Sequence, residues 1–420
     1  MKTKYIQSLH ATNIGKFSIL NVVFNPRFNF IVGANGCGKT TLLKTIAVIF
    51  NPEKAATFRY GQESEIWIDC VDGAVVKRIG LGNGWVKQGN DYRKAQLNWW
   101  KEPPMSTEIQ NSFSASSIDE KGINLVPVFY GAYRRISYHA IDGMKREKSP
   151  KENRLTLRKT AIDHIEGGHL PDVKQWLINR YFVLEKEWAN KYKDNFLWLI
   201  ENLKNISPFY DKFSFKEIKQ DLEPVFVLNG KECYLEELSA GFQAVLSLIF
   251  GIINWIEAVN EPDSILVKDA VGTVIIDELD VHLHPEWQLM IRAAFEKLFP
   301  HLQFIVTTHS PHLIASAKEG EIIKIPVDKD IVHIKPTGQV YSGWSTEEIL
   351  EDVMEVRGLE NKAFSVVFKE AMNAVARKNT NELKKCIEKL KLVVHPNNII
   401  IETLQIKLAE LMLENDNDTN

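Results

Sequence analysis

The sequence lacks the features of a secreted, disulfide-stabilised or membrane-spanning protein. Its most apolar stretch, residues 245–259, is shorter than the roughly 20 residues of a membrane span, so we expect a buried helix there. No apolar run follows the lysines near Met1, which predicts a cytoplasmic protein without a signal peptide. The scattered cysteines form no CxxC pair, as is typical of a reducing compartment. They are Cys37, Cys70, Cys233 and Cys386.

The chain also has no strong excess of one charge. Lysine and arginine number 51 against 54 acids, a formal net charge of −3, so any nucleic-acid surface must be a local patch. Residues 134–159 form such a patch, with nine basic residues and three acids. This excess fits a DNA-binding surface and a solvated loop and helix face equally well. The nine are Arg134, Arg135, Lys145, Arg146, Lys148, Lys151, Arg154, Arg158 and Lys159.

A phosphate-binding loop is the clearest motif. Residues 33–41 read Gly-Ala-Asn-Gly-Cys-Gly-Lys-Thr-Thr, after the apolar residues 28–32 and before apolar residues at helical spacing. A strand, glycine loop and helix in this order would direct backbone N–H groups at phosphate, with Lys39 on the β- and γ-phosphates and Thr40 on Mg²⁺. A glycine-rich turn that holds Lys-Thr by chance is the less favoured alternative. The predicted nucleotide contacts are Gly33, Asn35, Gly36, Gly38, Lys39, Thr40 and Thr41.

Two further apolar segments end in polar residues that could act on a triphosphate. Residues 274–276 lead into Asp277, which we expect to hold Mg²⁺, and Glu278, which could polarise the attacking water. Residues 304–306 lead towards His309, a candidate sensor of the γ-phosphate. Taken alone, each signal is weak, because many strands end at acids and many histidines are structural.

The fourth motif, Leu-Ser-Ala-Gly-Phe-Gln at residues 238–243, precedes a long apolar helix. Ser239 can accept hydrogen bonds from the free N–H groups of that helix. Gly241 would allow a ligand to approach the backbone closely. A plain helix N-cap is the better explanation of these residues when the motif is considered alone.

Together, the four motifs resemble the ABC-type ATPase domain, in its non-transporter branch related to OLD and RecF proteins. The resemblance spans about residues 4–335 and implies ATP and Mg²⁺ as cofactors. It implies an α/β head with a mainly parallel core sheet and an antiparallel β subdomain. Residues 238–243 would be the signature, including Gln243, and Leu279 with Asp280 would be the D-loop. The signature of one copy would cap ATP held by another, which predicts a homodimer with two composite sites.

One element of that family has no clear match. The glutamine between the phosphate loop and the signature could be Gln62 or Gln96, although neither has a convincing context. The segment 126–135 occupies a similar region, and we expect Arg134 near the nucleotide.

The chain is predicted to have four parts. Residues 1–150 would form the first part of the ATPase head, 151–210 a helical insertion, and 211–335 the second part of the head. Residues 336–420 would form a C-terminal helical region for docking a partner. Ser345 and Glu348 have capping-box spacing, which predicts the start of a helix there. His282 and His284 make a poor metal site because no further ligands accompany them.

A narrower resemblance is to Septu-type (PtuA-like) antiphage defence ATPases, including versions that accompany retrons. It depends on the motif set, the short helical insertion, residues 341–344, and the lack of a nuclease domain after His309. It implies an ATP-dependent switch subunit, an assembly larger than a dimer, and a separate HNH nuclease held in check by ATP. The alternative is a RecF- or SMC-like DNA repair or recombination clamp. A transporter subunit is a weaker third interpretation.

Overall fold

The computed structural model describes most of the chain, in residues 3–51, 63–83, 103–106, 109, 111–115, 118, 125–134, 136, 138–167, 172–206, 212–261, 263, 265–356, 362–394 and 399–417. The strands are β1 Lys4–Ile14, β2 Phe17–Val23, β3 Phe28–Val32, β4 Ser64–Asp72, β5 Val75–Asn83, β6 Asn111–Ser114, β7 Val128–Tyr130, β8 Phe213–Ile218, β9 Pro224–Leu228, β10 Lys231–Tyr234, β11 Gly272–Ile276, β12 Leu302–Thr307, β13 Ile322–Lys324 and β14 Ile331–Ile334. The helices are α1 Lys39–Phe50, α2 Pro150–Lys159, α3 Ala161–Ile165, α4 Val173–Tyr181, α5 Asn190–Ile206, α6 Ala240–Val259, α7 Pro285–Leu298, α8 Pro311–Ser316, α9 Thr346–Glu348, α10 Lys362–Ala376, α11 Thr380–Lys391 and α12 Ile399–Asn417.

A five-stranded parallel sheet positions the motifs. Its strand order is β13-β3-β12-β11-β7, and every neighbouring pair is parallel. All residues of β3, β11 and β12 are buried, which explains why their sequences are mostly apolar. Because parallel strands end at the same edge, the loops after these three strands converge there. The predicted parallel core sheet is confirmed.

A second sheet supplies the antiparallel part. Its order is β14-β2-β1-β4-β5-β6, with antiparallel pairing through β2, β1, β4 and β5. The two edge strands, β14 and β6, pair in parallel with their neighbours. Helix α1 shares one hydrophobic core with residues of both sheets, through Leu42, Leu43 and Ile46. The apolar face that the sequence predicted for this helix is therefore buried between two sheets.

Helix α6, which follows the signature, is the central helix of the larger core. It is the helix among the described residues that is long and apolar enough to span a membrane, and 89% of its most apolar window is buried within the protein. This confirms the expectation of a buried core helix. Helices α4 and α5 contribute Trp176, Leu177 and Phe196 to the same core. The antiparallel sheet β10-β9-β8, which the sequence analysis did not anticipate, adds Phe213 and Phe226.

The described chain forms two compact units, Met1–Glu355 and Val356–Asn420. The second unit consists of α10, α11 and α12, whose core includes Leu383, Ile387 and Leu404. Ser345 caps α9 in a capping box, as predicted, and a π-helical turn follows at Ile349–Val353. The finer division at residues 150, 210 and 335 stays a prediction.

Candidate nucleotide site

The glycine-rich loop connects β3 to α1 at the carboxyl edge of the parallel sheet. Gly36 has a φ of 77°, and a Cβ atom built there would meet nothing within 4 Å. The loop is therefore open at Gly36, where a phosphate could approach the backbone, and the N-terminus of α1 adds partial positive charge. The predicted contacts Gly33, Asn35, Gly36 and Gly38 lie in this loop, and Lys39, Thr40 and Thr41 lie in the first turn of α1.

Lys39 folds back over the loop. Its Nζ donates to the carbonyl oxygens of Gly33 at 2.8 Å and Ala34 at 3.1 Å. The side chain is buried, and this burial lowers the pKa of Lys39, opposed by Cys37 and the nearby acids. An ammonium held by carbonyl groups at the loop can exchange these partners for phosphate oxygens.

Thr40 and Asp277 meet across the sequence. The Thr40 Oγ1 donates to Asp277 Oδ2 at 2.9 Å, which joins the start of α1 to the end of β11. The other carboxylate oxygen, Oδ1, accepts from Thr307 Oγ1 at 2.5 Å. A hydroxyl and one carboxylate at the edge of a phosphate loop are a donor set that fits Mg²⁺, which binds proteins through few oxygens and keeps water and phosphate ligands.

Glu278 adopts a backbone conformation that is uncommon for its residue type. Its φ is 51°, in the left-handed region, which costs roughly 1–2 kcal/mol for a residue with a side chain. Its N–H donates to Thr307 Oγ1 at 2.7 Å, and its carbonyl oxygen accepts from Arg134 Nη2 at 2.5 Å. Strain of this kind concentrates at functional sites, where the surrounding structure holds it. The half-buried Glu278 side chain is thus aimed by a fixed backbone.

Asp280 anchors the loop that carries His309. Asp280 Oδ1 accepts from Thr308 Oγ1 at 2.6 Å and from the His309 N–H at 3.1 Å. Burial, followed by the positive charge of Lys39, lowers the pKa of His309 below its usual 6.5. Both effects favour the neutral form of the ring, and the nearby acids oppose them.

The signature residues differ from expectation in part. Ser239 is the N-cap of α6 and is exposed, but its side chain makes no capping hydrogen bond. A Cβ atom at Gly241 would lie 2.9 Å from the carbonyl oxygen of His282, so the close approach at this glycine is to the protein's own backbone.

Gln243 is hydrogen-bonded within its own chain. It is buried, and its Nε2 donates to the carbonyl oxygens of Glu236 at 2.9 Å and Leu238 at 2.8 Å. Its Oε1 accepts from the Ile136 N–H at 3.3 Å. These bonds connect Gln243 to the residues on either side of the signature turn, and its predicted contact with nucleotide stays a prediction.

Arg134 is bound to the backbone beside the predicted nucleotide site. Its Nη1 donates to the carbonyl oxygens of Gly131 at 2.9 Å and Asp277 at 2.8 Å, and its Nη2 donates to Glu278. It is 1% exposed, and burial lowers its pKa to about 10. The guanidinium group thus binds the backbone of the predicted catalytic acids, and its expected position near the nucleotide stays a prediction. No sequence pattern links Arg134 to residues so distant in the chain.

The basic patch is smaller than its composition suggested. Arg134 and Arg158 are buried, and Arg154 Nη1 donates to the Val259 carbonyl at 2.7 Å. Arg135 lies outside the described residues, as do the candidate glutamines Gln62 and Gln96. The exposed remainder of the patch consists of Lys145, Arg146, Lys148, Lys151 and Lys159.

The fold and the site define a phosphate-loop ATPase. A family described as "AAA domain" matches residues 8–232, and one described as "AAA ATPase domain" matches residues 172–314. The chain belongs to the AAA domain family, whose match covers more than half of its length, and it is an ATPase.

Comparison with individual relatives narrows this class of ATPase. The chain is 26% identical to a Septu protein PtuA of Bacillus thuringiensis over 419 residues, which cover 96% of this chain and 98% of the relative. It is 30% identical to the Retron Ec83 probable ATPase of Escherichia coli over 216 residues, 50% of this chain and 36% of that protein. A crystal structure of an Smc head bound to the C-winged helix domain of ScpA is 15% identical, with a TM-score of 0.45, over 79% of this chain and 97% of the other. The predicted resemblance to Septu-type ATPases is confirmed.

Proposed function

We propose that the chain is the ATP-binding and ATP-hydrolysing switch subunit of a cytoplasmic, Septu-like antiphage defence complex. The end-to-end match to Septu protein PtuA carries the proposal, since it includes the helical unit Val356–Asn420 as well as the ATPase motifs. A match confined to the motifs would support ATP hydrolysis alone, because many unrelated functions share that site.

The residues at the sheet edge divide the chemistry among them. Lys39 would neutralise the β- and γ-phosphates, and Thr40 with Asp277 would hold Mg²⁺. The bound ion would supply charge compensation on the phosphate oxygens. Glu278 would orient and polarise the attacking water, while the neutral His309 would sense the γ-phosphate by a hydrogen bond. Replacing Glu278 by Gln should reduce turnover on the order of 10²–10⁴-fold and leave ATP bound.

Dimerisation would complete the site. Ser239 and Ala240 are exposed at the start of α6, and the Ser239 hydroxyl makes no cap within its own helix. We propose that this turn caps ATP on a second copy, giving a head-to-tail homodimer with two composite sites that can grow into a larger assembly.

The dimer is tested by sedimentation of the Glu278→Gln variant with ATP. We expect a monomer without nucleotide and a dimer with it. Adding Ser239→Arg should keep the protein monomeric while ATP still binds, because the bulky cation blocks only the capping surface. Ser214→Arg is the matched control, since Ser214 is an exposed serine on β8. Hydrolysis by a protein that remains monomeric with ATP would refute the composite site.

The proposed partner is a separate HNH nuclease restrained by ATP. Purification with the product of the adjacent gene, with and without ATP, followed by mass measurement and a nuclease assay, tests this. We expect a complex whose nuclease is silent with ATP and active after ATP is depleted. A neighbouring repair gene and a complex without nuclease activity would instead support the DNA-clamp alternative.

DNA binding through the basic patch is tested by charge reversal. Reversing Lys145, Arg146 and Lys148 to Glu changes three of the five exposed basic residues of the patch. If the patch contacts DNA, affinity should fall and its dependence on salt should weaken. Unchanged affinity would remove the patch from the proposal.

A further inference from the structure

Arg134 occupies an unusual position for an arginine. It is almost fully buried, and its three hydrogen bonds go to backbone carbonyl oxygens, those of Gly131, Asp277 and Glu278. Its Nε has no hydrogen-bond partner among the described residues. A buried guanidinium costs free energy, most of all when one donor is unpaired, so its contacts must provide something that a neutral side chain would not.

The contacts identify what it provides. Arg134 binds the carbonyl oxygens of two successive residues, Asp277 and Glu278, with adjacent nitrogens of one rigid fork. This fixes the peptide planes on both sides of the Glu278 Cα atom. The Thr307 hydroxyl fixes the same residue from its N–H. The left-handed conformation of Glu278 is thus held at both ends, and with it the direction of the Cα–Cβ bond.

We propose that Arg134 is a positioning residue for ATP hydrolysis. It acts through the backbone of Asp277 and Glu278 and sets the direction of the Glu278 carboxylate, without touching the nucleotide. This inference rests on the proposed role of Glu278 in orienting the attacking water. Small misplacements of a group that orients water lower the turnover rate much more than they lower substrate binding.

The test replaces Arg134 by Lys. Lysine keeps the charge and most of the length, but its ammonium cannot hold two carbonyl groups in a planar fork. We expect kcat to fall at least about tenfold, while the dissociation constant for ATP changes less than about threefold. Arg134→Gln, a neutral side chain that keeps one donor group, should give the same split and serves if the lysine variant is insoluble.

Arg292→Lys is the matched control. Arg292 is 4% exposed and binds Glu321 through Nε at 2.8 Å and Nη2 at 2.6 Å. Its replacement removes a similarly buried guanidinium fork whose hydrogen bonds go to Glu321 and Glu296, not to Asp277 or Glu278. We expect Arg292→Lys to lower the thermal unfolding midpoint as Arg134→Lys does, but to keep kcat within about twofold of the wild type.

A double-variant cycle distinguishes positioning from general stability. If Arg134 acts through Glu278, adding Arg134→Lys to Glu278→Gln should leave the residual rate unchanged. A further tenfold loss in that background, or a wild-type kcat in Arg134→Lys, would overturn the proposal. Equal kcat losses in Arg134→Lys and Arg292→Lys would also overturn it. Full activity in Glu278→Gln alone would instead remove the proposed role of Glu278, which is a separate failure.

Discussion

Thr307 is the residue through which the site's stability can be measured most directly. Its hydroxyl accepts from the Glu278 N–H at 2.7 Å and donates to Asp277 Oδ1 at 2.5 Å, and the residue is fully buried. Thr307→Val keeps the shape and removes both bonds. It removes the partner of the part-buried Glu278 N–H, which costs up to about 1–3 kcal/mol, and it removes a bond to a charged group, worth about 1.5–3 kcal/mol. We expect the free energy of unfolding to fall by about 3 kcal/mol.

Thr45→Val is the control for this substitution. Thr45 is equally buried, on α1, and its hydroxyl donates to the Thr41 carbonyl oxygen at 2.7 Å. In this bond the Thr45 hydroxyl is the donor, so removing it leaves no N–H group without a partner. Loss of the hydroxyl should therefore cost only about 0.5–1 kcal/mol.

Urea denaturation followed by tryptophan fluorescence measures both values, and ATP turnover supplies a second readout. Thr307→Val should also lower turnover, since it frees the backbone of Glu278, whereas Thr45→Val should not. If the two variants unfold within about 1 kcal/mol of each other, the hydroxyl does not hold the acids as described.

Three other predictions concern a buried ion pair and two residues of the nucleotide site. Glu257 on α6 is buried and binds Arg180 at 2.6 Å, so Arg180→Met should lower the free energy of unfolding by about 3–5 kcal/mol. Adding Glu257→Leu should recover at least half of this loss in denaturant titrations. Equal stability of the single and double variants would contradict this prediction. Because the pKa of His309 is lowered, the unfolded chain takes up this proton first, so stability should decrease as the pH falls below 6.5. His309→Gln should remove this component when unfolding midpoints at pH 7.5 and 5.5 are compared, and an unchanged difference would argue against it. Thr40→Ala should raise the Mg²⁺ concentration for half-maximal hydrolysis about tenfold, and Thr40→Ser should not. If the two variants need the same Mg²⁺ concentration, the hydroxyl is not a ligand.

Much of the fold follows from local patterns. The buried strands of the parallel sheet are mostly apolar, and the phosphate loop joins one of them to a helix whose apolar residues are buried. The capping box at Ser345 is likewise a short-range signal that the structure reproduces. The sheet β10-β9-β8, within residues 213–234, was not predicted from the sequence.

The sequence by itself determined the ATPase class, since glycines, Lys39 and Thr40 act within one loop and helix turn whose geometry is set by neighbouring residues. It also placed Asp277, Glu278 and His309 at strand ends, where a parallel sheet must bring them to one edge. Only the tertiary structure decided how these groups are held. The bonds from Arg134 to Asp277 and from the Ile136 N–H to Gln243 join residues more than a hundred positions apart. No local propensity encodes such pairs, because they form only when strands and helices distant in the chain pack together.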